Sequence, residues 1–423
     1  MTSPPASLSH QRKDPASQRS PQIPAADGSC APLYATEFMT DPHRVYRELR
    51  DNYGAFAPVE LAPGVPATLV LGYREALRIL DDETHYPADP RIWQQQMPTD
   101  CPVLPLLQWR PIPLRSTGEA HARLRSSCTA ALDRVDLHAL RSVVERTATP
   151  MINTFCESGT VEILGQYALP LTFHVLNDTL GVPPEAGQRA LAGMAAVLDA
   201  ADTATAQRGN AIFEAILLEV VQRKRGSRGN DLISHLMTHP ANLDDTEIVH
   251  QTALLYAAGT EPTCGLILNT LLLMLTDDRF GGNVLGGAIS TRDAIEEVLF
   301  SDPPWANFCV RYPRQPQILD GKWLPAHQPV VISSAACNND PSIAGDRTGN
   351  RSHLSWGAGP HTCPAQPLAM TIAHEAIEQL LDALPEITLA VSPDQLAWRP
   401  GPLHRMLAAL PLTFPSTPPL VGR

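Results

Sequence analysis

At 423 residues and 43% hydrophobic, the chain has enough apolar content to bury a large core, as one big domain or as two fused halves. Its 32 Lys+Arg against 44 Asp+Glu give a formal charge of −12, which argues against a nucleic-acid binder, since phosphate neutralisation needs a basic face. Eight cysteines with no C-x-x-C pair fit neither a disulfide framework nor a zinc knuckle, and point to a reduced, cytoplasmic setting.

Residues 1–30 are rich in Pro, Ser and Gln and lack the apolar run of a signal peptide or membrane anchor, so they read as a disordered leader. Asp41-Pro42 is a cap followed by a proline at the first helical position, and Val45, Tyr46 and Leu49 continue at helical spacing. Thr68 to Leu71 predicts a strand after Pro63-Gly64, and Arg74 to Leu80 a return to helix. The stretch 85–115 carries seven prolines together with Trp93 and Trp109, and reads as an irregular binding-site loop.

From Glu119 to about Gly226 the pattern is helical, with breaks expected at Pro150, Gly159, Pro170 and Gly181 to Pro184. The longest helix follows, capped by Asp244 with Glu247 three residues on and continuing to about Leu275, roughly 45 Å at 1.5 Å per residue. Its most apolar run, Leu266 to Leu275, is interrupted by Asn269 and Thr270 and is too short to span a bilayer, so a soluble protein without membrane insertion is expected. Asp293 to Phe300 predicts a short helix, Gln328 to Ser333 a strand, and Ala365 to Leu384 another helix. The fold class expected is mainly α with minor β, a single domain over 31–415 with a short tail at 416–423.

Ahead of that last helix runs Trp356-Gly357-Ala358-Gly359-Pro360-His361-Thr362-Cys363-Pro364. A thiol delivered to a helix N-terminus meets unpaired N–H groups and the positive end of the dipole, which favour the thiolate, and a thiolate binds iron. A lone cysteine in a glycine loop is more often structural, so its surroundings decide. His235 and His239 stand four apart without a third ligand and read as a surface pair. No G-x-S-x-G, H-E-x-x-H or G-x-x-x-x-G-K-[ST] is present, which leaves hydrolase and nucleotide readings without support.

Taken in order, these segments resemble the cytochrome P-450 superfamily, the haem-thiolate monooxygenases, and its soluble bacterial members in particular. The loop W-G-A-G-P-H-T-C-P-A-Q-P-L-A is similar to the family's haem loop, with Ala365 in place of its last glycine. His121-Ala122-Arg123-Leu124-Arg125 resembles the propionate-binding helix start, where His and Arg four apart share one face. Arg311, ahead of Leu319-Asp320-Gly321 and Pro325-Ala326, sits where the family places another propionate arginine, and Asn339-Asp340-Pro341 has the family's look. The resemblance implies haem b with Cys363 as axial thiolate, and His121, Arg125, Arg311, His361, Trp356 and Gly357 on the cofactor. No dinucleotide-binding domain is visible, so electrons are expected from a separate ferredoxin or flavoprotein reductase, and the substrate is expected to be a small hydrophobic, secondary-metabolite-like molecule.

Two departures bear on activity. Ala257-Ala258-Gly259-Thr260-Glu261-Pro262-Thr263 resembles the oxygen-activation segment, which makes Ala258, Gly259, Glu261 and Thr263 the candidate catalytic residues, yet proline stands where the family has threonine. Pro262 has no hydroxyl, removes a backbone N–H and is expected to kink the helix near residue 258. In Glu296-Glu297-Val298-Leu299-Phe300 the E-x-x-R arginine is Phe300, so Glu297 needs hydration, protonation or another partner, with Arg314, Arg347 and Arg351 as candidates, unless Phe300 marks a repacked apolar contact. Pro364 and Pro367 are further expected to leave the sulfur fewer N–H donors and a more electron-rich thiolate. Besides a monooxygenase, these departures keep open a peroxide-driven or non-oxygenating haem enzyme (isomerase or dehydratase), and a non-catalytic haem-binding regulator or scaffold.

Overall fold

The computed structural model describes residues 30–198, 203–281, 290–345, 347 and 349–420. Nearly all of the expected leader, and the last three residues of the expected tail, lie outside these.

The chain enters at β1 (Ala31–Pro32), passes through α1 (Thr36–Thr40) and α2 (Pro42–Tyr53), and turns into β2 (Phe56–Ala62). The expected cap is in place: the Asp41 carboxylate accepts from the Arg44 N–H at 3.0 Å, with Pro42 at the first helical position. β2 pairs antiparallel with β3 (Val65–Val70), and α3 (Tyr73–Asp81) follows. Residues 85–115 form only single turns, at α4 (Arg91–Gln94), α5 (Leu104–Leu107) and the 3-10 turn Pro113–Arg115. Buried Trp93, Leu107 and Arg115 pin this stretch down.

The helical region comprises α6 (Gly118–Leu132), α7 (Leu137–Ile152), α8 (Leu169–Leu180), α9 (Pro184–Leu198), α10 (Thr203–Gly226) and α11 (Leu232–Thr238). Two of the expected breaks are not breaks. Pro150 lies inside the last turn of α7, two residues before its end, and Pro170 follows directly on the π-helical turn Leu164–Ala168, whose wider winding runs straight into α8. Gly181 does end α8, in the left-handed conformation with φ 74°.

α12 (Asp245–Thr276) is the axis of the molecule. Asp244 and Glu247 form the expected reciprocal cap, and the helix packs against α8, α10, α14 (Thr291–Ser301) and α16 (Gln366–Ala383). By length and composition it could cross a membrane, but it lies largely inside the protein, apolar on most faces as a core helix must be. Beyond it come α13 (Asp278–Gly281), α14 (Thr291–Ser301), α15 (Ser334–Asn338) and α16 (Gln366–Ala383).

The remaining strands are short. β5 (Cys309–Arg311) and β8 (Val330–Ile332) complete a five-stranded sheet in the order β1-β2-β3-β8-β5, with β3 and β8 parallel. β6 (Gln317–Leu319) and β7 (Lys322–Leu324) form a hairpin. Residues Thr160–Glu162 form an unanticipated strand, β4, joined by β9 (Thr388–Leu389) and β10 (Pro411–Thr413) in the order β4-β10-β9. The main core gathers around α12, and a second one under the five-stranded sheet. The cysteine loop joins the main core through Trp356 and Ala365 and a third, smaller cluster around α3 through Ala358.

Candidate functional site

Cys363 is placed by a tight loop. Gly357 (φ 70°) and Gly359 (φ 66°) adopt the left-handed region, and an added Cβ at Gly359 would sit 2.6 Å from the Leu80 carbonyl of α3. The Cys363 N–H donates to the Trp356 carbonyl at 2.7 Å. Burial pushes the Cys363 thiol up, opposed by the backbone N–H of Ala365, the Arg125 charge and the backbone N–H of Gln366. Both N–H groups belong to the two residues that stand between Pro364 and Pro367.

Around the loop stands a cluster of basic side chains. Arg125 of α6 donates to the Thr362 carbonyl and, through Nε, to Thr129 Oγ1 at 3.1 Å. One turn earlier, His121 stacks on His361 with ring centroids 4.0 Å apart. Burial, then neighbouring Arg125 and Arg311, pushes His121 down to about 4. Burial, then the Arg311 charge, pushes His361 down to about 2. Arg311, at the end of β5, is 2% exposed; one nitrogen donates to the Val310 carbonyl at 3.2 Å, while Nε and Nη2 have no partner. His121 Nε2 and Trp356 Nε1 are likewise buried and unpartnered.

Two members of this cluster gave no sequence signal. Glu83 accepts from His361 Nε2 at 2.5 Å and lies 3.7 Å from His121 Nδ1. Arg115 is 2% exposed and donates to the Leu106 carbonyl at 3.0 Å, its guanidinium above the Phe308 ring. Glu83, His121 and His361 place ligand atoms within 4.8 Å of one another, a composition that suits a divalent metal. The adjacent arginines decide against a cation there and for an anion, because burying a guanidinium without a counter-charge is costly. A planar iron macrocycle bearing two carboxylates fits this donor set: a thiol at a helix start, and buried cations with orphaned N–H groups beside it.

The candidate catalytic residues of α12 divide by direction. Ala257 and Ala258 are exposed in the middle of an otherwise well-buried helix. Gly259 turns to α8, where an added Cβ would lie 3.0 Å from Leu176 Cδ1. Glu261 meets Arg399, with Oε1 3.4 Å from Nη1. Thr263 is 2% exposed and lies about 140° round a regular helix from Ala258. The helix is continuous through Pro262.

The expected difficulty at Glu297 is resolved by its neighbour. Glu297 is not buried against the loop but lies 3.8 Å from Arg279. Glu296 instead faces the segment ahead of the cysteine, 3.2 Å from His353 Nε2 and 3.4 Å from Arg351 Nε. Phe300 is repacked, 3% exposed, with His353 edge-on at 5.1 Å and the Arg347 guanidinium 5.1 Å above its ring. The last carbonyls of α14 are taken by amides: Asn338 donates to Leu299 at 2.9 Å, and Asn339 to Phe300 and Ser301 at 3.3 Å. Arg314 is engaged elsewhere, on the Thr84 carbonyl. His235 and His239 do not meet; the first contacts Arg134 and the second its own turn.

No protein-family model matches the chain. Among similar proteins, the cytochrome P450 monooxygenase PikC of Streptomyces venezuelae is 28% identical over 391 residues, covering 89% of this chain and 92% of that one. The 6-deoxyerythronolide B hydroxylase of Saccharopolyspora erythraea is 28% identical over 403 residues, covering 90% and 98%. Among solved structures, CYP154C4 from Streptomyces sp. superposes with a TM-score of 0.83 at 26% identity, over 91% of this chain and 98% of that one. The tirandamycin C-bound P450 monooxygenase TamI gives 0.80 at 27%, over 91% and 100%. The fold is thus the mainly helical cytochrome P450 fold with small sheets, the comparisons support the bacterial part of that superfamily, and the homologues are P450 monooxygenases and hydroxylases.

Proposed function

We propose that the chain is a haem-thiolate monooxygenase that oxidises a small hydrophobic molecule of secondary metabolism, with electrons from an external ferredoxin or flavoprotein reductase. The observation that carries this reading is the pairing of Cys363, at the start of α16, with a buried cation cluster whose N–H groups lack partners. Cys363 would hold the iron of haem b through its sulfur, and His121, Arg125, Arg311 and His361 would hold its propionates. Trp356 and Gly357 would pack against it. When bound, the haem supplies the iron at which dioxygen is activated.

The chain's own residues supply the rest. Ala258 keeps one side of α12 small and apolar, which leaves room for a substrate and excludes water. The loop 85–115 and the segment Ala306 to Val310 would line the other sides. Glu261 lies on the same stretch of helix as a candidate proton carrier, and Arg399 fixes its orientation. The test is the absorption spectrum of the reduced, carbon monoxide-bound protein, followed by a screen for substrates that shift the spin state. A thiolate-type band is expected; a spectrum without one sinks the reading.

The missing hydroxyl at Pro262, with Thr263 buried in the core, favours a second reading in which the same site works with peroxide, or without oxygen transfer, as an isomerase or dehydratase would. Turnover with peroxide alone, compared with turnover on dioxygen and a reductase, separates the two. A third reading, a haem-binding regulator, predicts no spectral shift with any compound.

A further inference from the structure

Between Leu254 and Pro262 one face of α12 is open. Leu254, Leu255, Glu261 and Pro262 lie within about 60° of Ala258 on a regular helix, and all five are at least partly accessible, whereas Tyr256, Thr260 and Thr263, about 140° or more away, are buried. The helix is packed on by α8, α10, α14 and α16, so an accessible stripe in its middle borders the space that the proposed function gives to the substrate. The stripe is apolar apart from Glu261.

Glu261 is met there by Arg399, whose Nη1 lies 3.4 Å from Oε1, with the two side chains 20% and 23% exposed. Arg399 is fixed from behind. Its N–H donates to the Met406 carbonyl at 2.9 Å, Trp398 bridges antiparallel to Leu407, and the Ala408 N–H donates to the Ala397 carbonyl at 2.8 Å. Arg405 is directed elsewhere, to Asp302 at 3.4 Å and onto the face of Trp398. Among the described residues, the contact between them is the one hydrogen bond that either side chain of the pair makes. The second carboxylate oxygen, Oε2, and most of the guanidinium's donors are therefore left for a ligand.

We propose that the Glu261–Arg399 pair is the polar anchor of the substrate, a molecule with an apolar body and one uncharged group that both accepts and donates, such as an amide. Its carbonyl oxygen accepts from Arg399, its N–H donates to Glu261, and the apolar body lies along Leu254, Leu255 and Ala258. A group that only accepts leaves the carboxylate desolvated and unpaired, which is costly. Ions are disfavoured on both sides. A carboxylate that reaches Arg399 is repelled by Glu261, a cation that reaches Glu261 is repelled by Arg399, and either gives up its hydration for a site whose charge is already cancelled. The inference rests on the monooxygenase reading in one respect, that the ligand so held is the substrate.

The test measures, by calorimetry on the haem-loaded protein, the binding of decanamide, methyl decanoate, decanoate and decyltrimethylammonium to the wild type, Arg399→Gln and Glu261→Gln. The cation is quaternary so that it cannot ligate iron. The wild type is expected to bind decanamide more tightly than the ester, and at least about tenfold more tightly than either ion. The variants should cross over. Glu261→Gln leaves Arg399 unopposed and should gain at least about tenfold for decanoate, while Arg399→Gln leaves Glu261 unopposed and should gain as much for decyltrimethylammonium. A misfolded variant cannot produce such gains. A wild type that binds decanamide no better than decanoate, or variants that weaken for every ligand alike, overturn the anchor, and a thiolate-type carbon monoxide band in the same protein leaves the haem reading standing. Absence of that band overturns the haem reading, and the crossover would then still establish the pair as a binding site for uncharged amides.

Discussion

The cysteine loop and the acid of α12 differ in how far along the chain their partners lie. On the cysteine side, the loop and the start of α16 lie within a dozen residues, and the thiol's donors are the next two non-proline N–H groups. Glu261 sits on the central helix itself, and its partner Arg399 arrives from 138 residues away. Local sequence suffices to build a ligand, because a helix start and a glycine turn are local devices. Proton traffic and bracing need groups that meet only after the chain has folded.

The largest effect expected falls on the local side. Cys363→Ala should abolish the thiolate-type band of the reduced, carbon monoxide-bound protein entirely, and a retained band would break the contrast by moving the ligand elsewhere. Next comes the brace. Phe300→Arg, which installs the arginine of the E-x-x-R pattern, should destabilise by about 3–5 kcal/mol in denaturant melts, because the new cation would be buried beneath Arg347. A stabilised variant would show that the repacked aromatic contact is a poor substitute.

Acid should act on the cation cluster. In protein prepared without cofactor, burial keeps His121 neutral to about 4 and His361 to about 2, whereas an ordinary histidine titrates at 6.5. The unfolded chain then binds more protons in that window, so stability is complete above 6.5 and falls as the pH drops toward 4. Urea midpoints between neutral and mildly acidic pH should show this, with a shallower slope in His121→Gln. The smallest effects separate two adjacent acids. Glu296→Gln, which loosens His353 and Arg351, should cost about 1–3 kcal/mol, whereas Glu297→Gln should stay within about 0.5 kcal/mol. Equal costs in the same melts would erase the distinction.

This pattern also explains what could be read from the sequence. α12 with its Asp244–Glu247 cap follows a spacing rule that operates inside one helix and appears where that rule puts it, whereas the cysteine loop and the pair His121 and Arg125 were legible as a likeness to short family motifs, each contained in one turn or one helix. Glu83 pairs with His361 across 278 residues, and no spacing rule reaches that far. The choice of Glu296 over Glu297 turned on one helical step of about 100°, which only the packed neighbours of α14 settle. Arg115 was hidden because a fully buried guanidinium looks, in sequence, like any surface arginine.

The close approach of Gly359 to the Leu80 carbonyl carries a consequence for how the protein is made. The turns of the loop that presents the cysteine are local, but its seat is a helix formed from the first fifth of the chain, so it is taken only on long-range closure, which is slow. A ribosome will have released almost the entire polypeptide before that seat can be taken. Cofactor capture should therefore be a late step in biogenesis, and chains stalled or clipped before residue 359 should accumulate as helical, colourless intermediates even where haem is abundant.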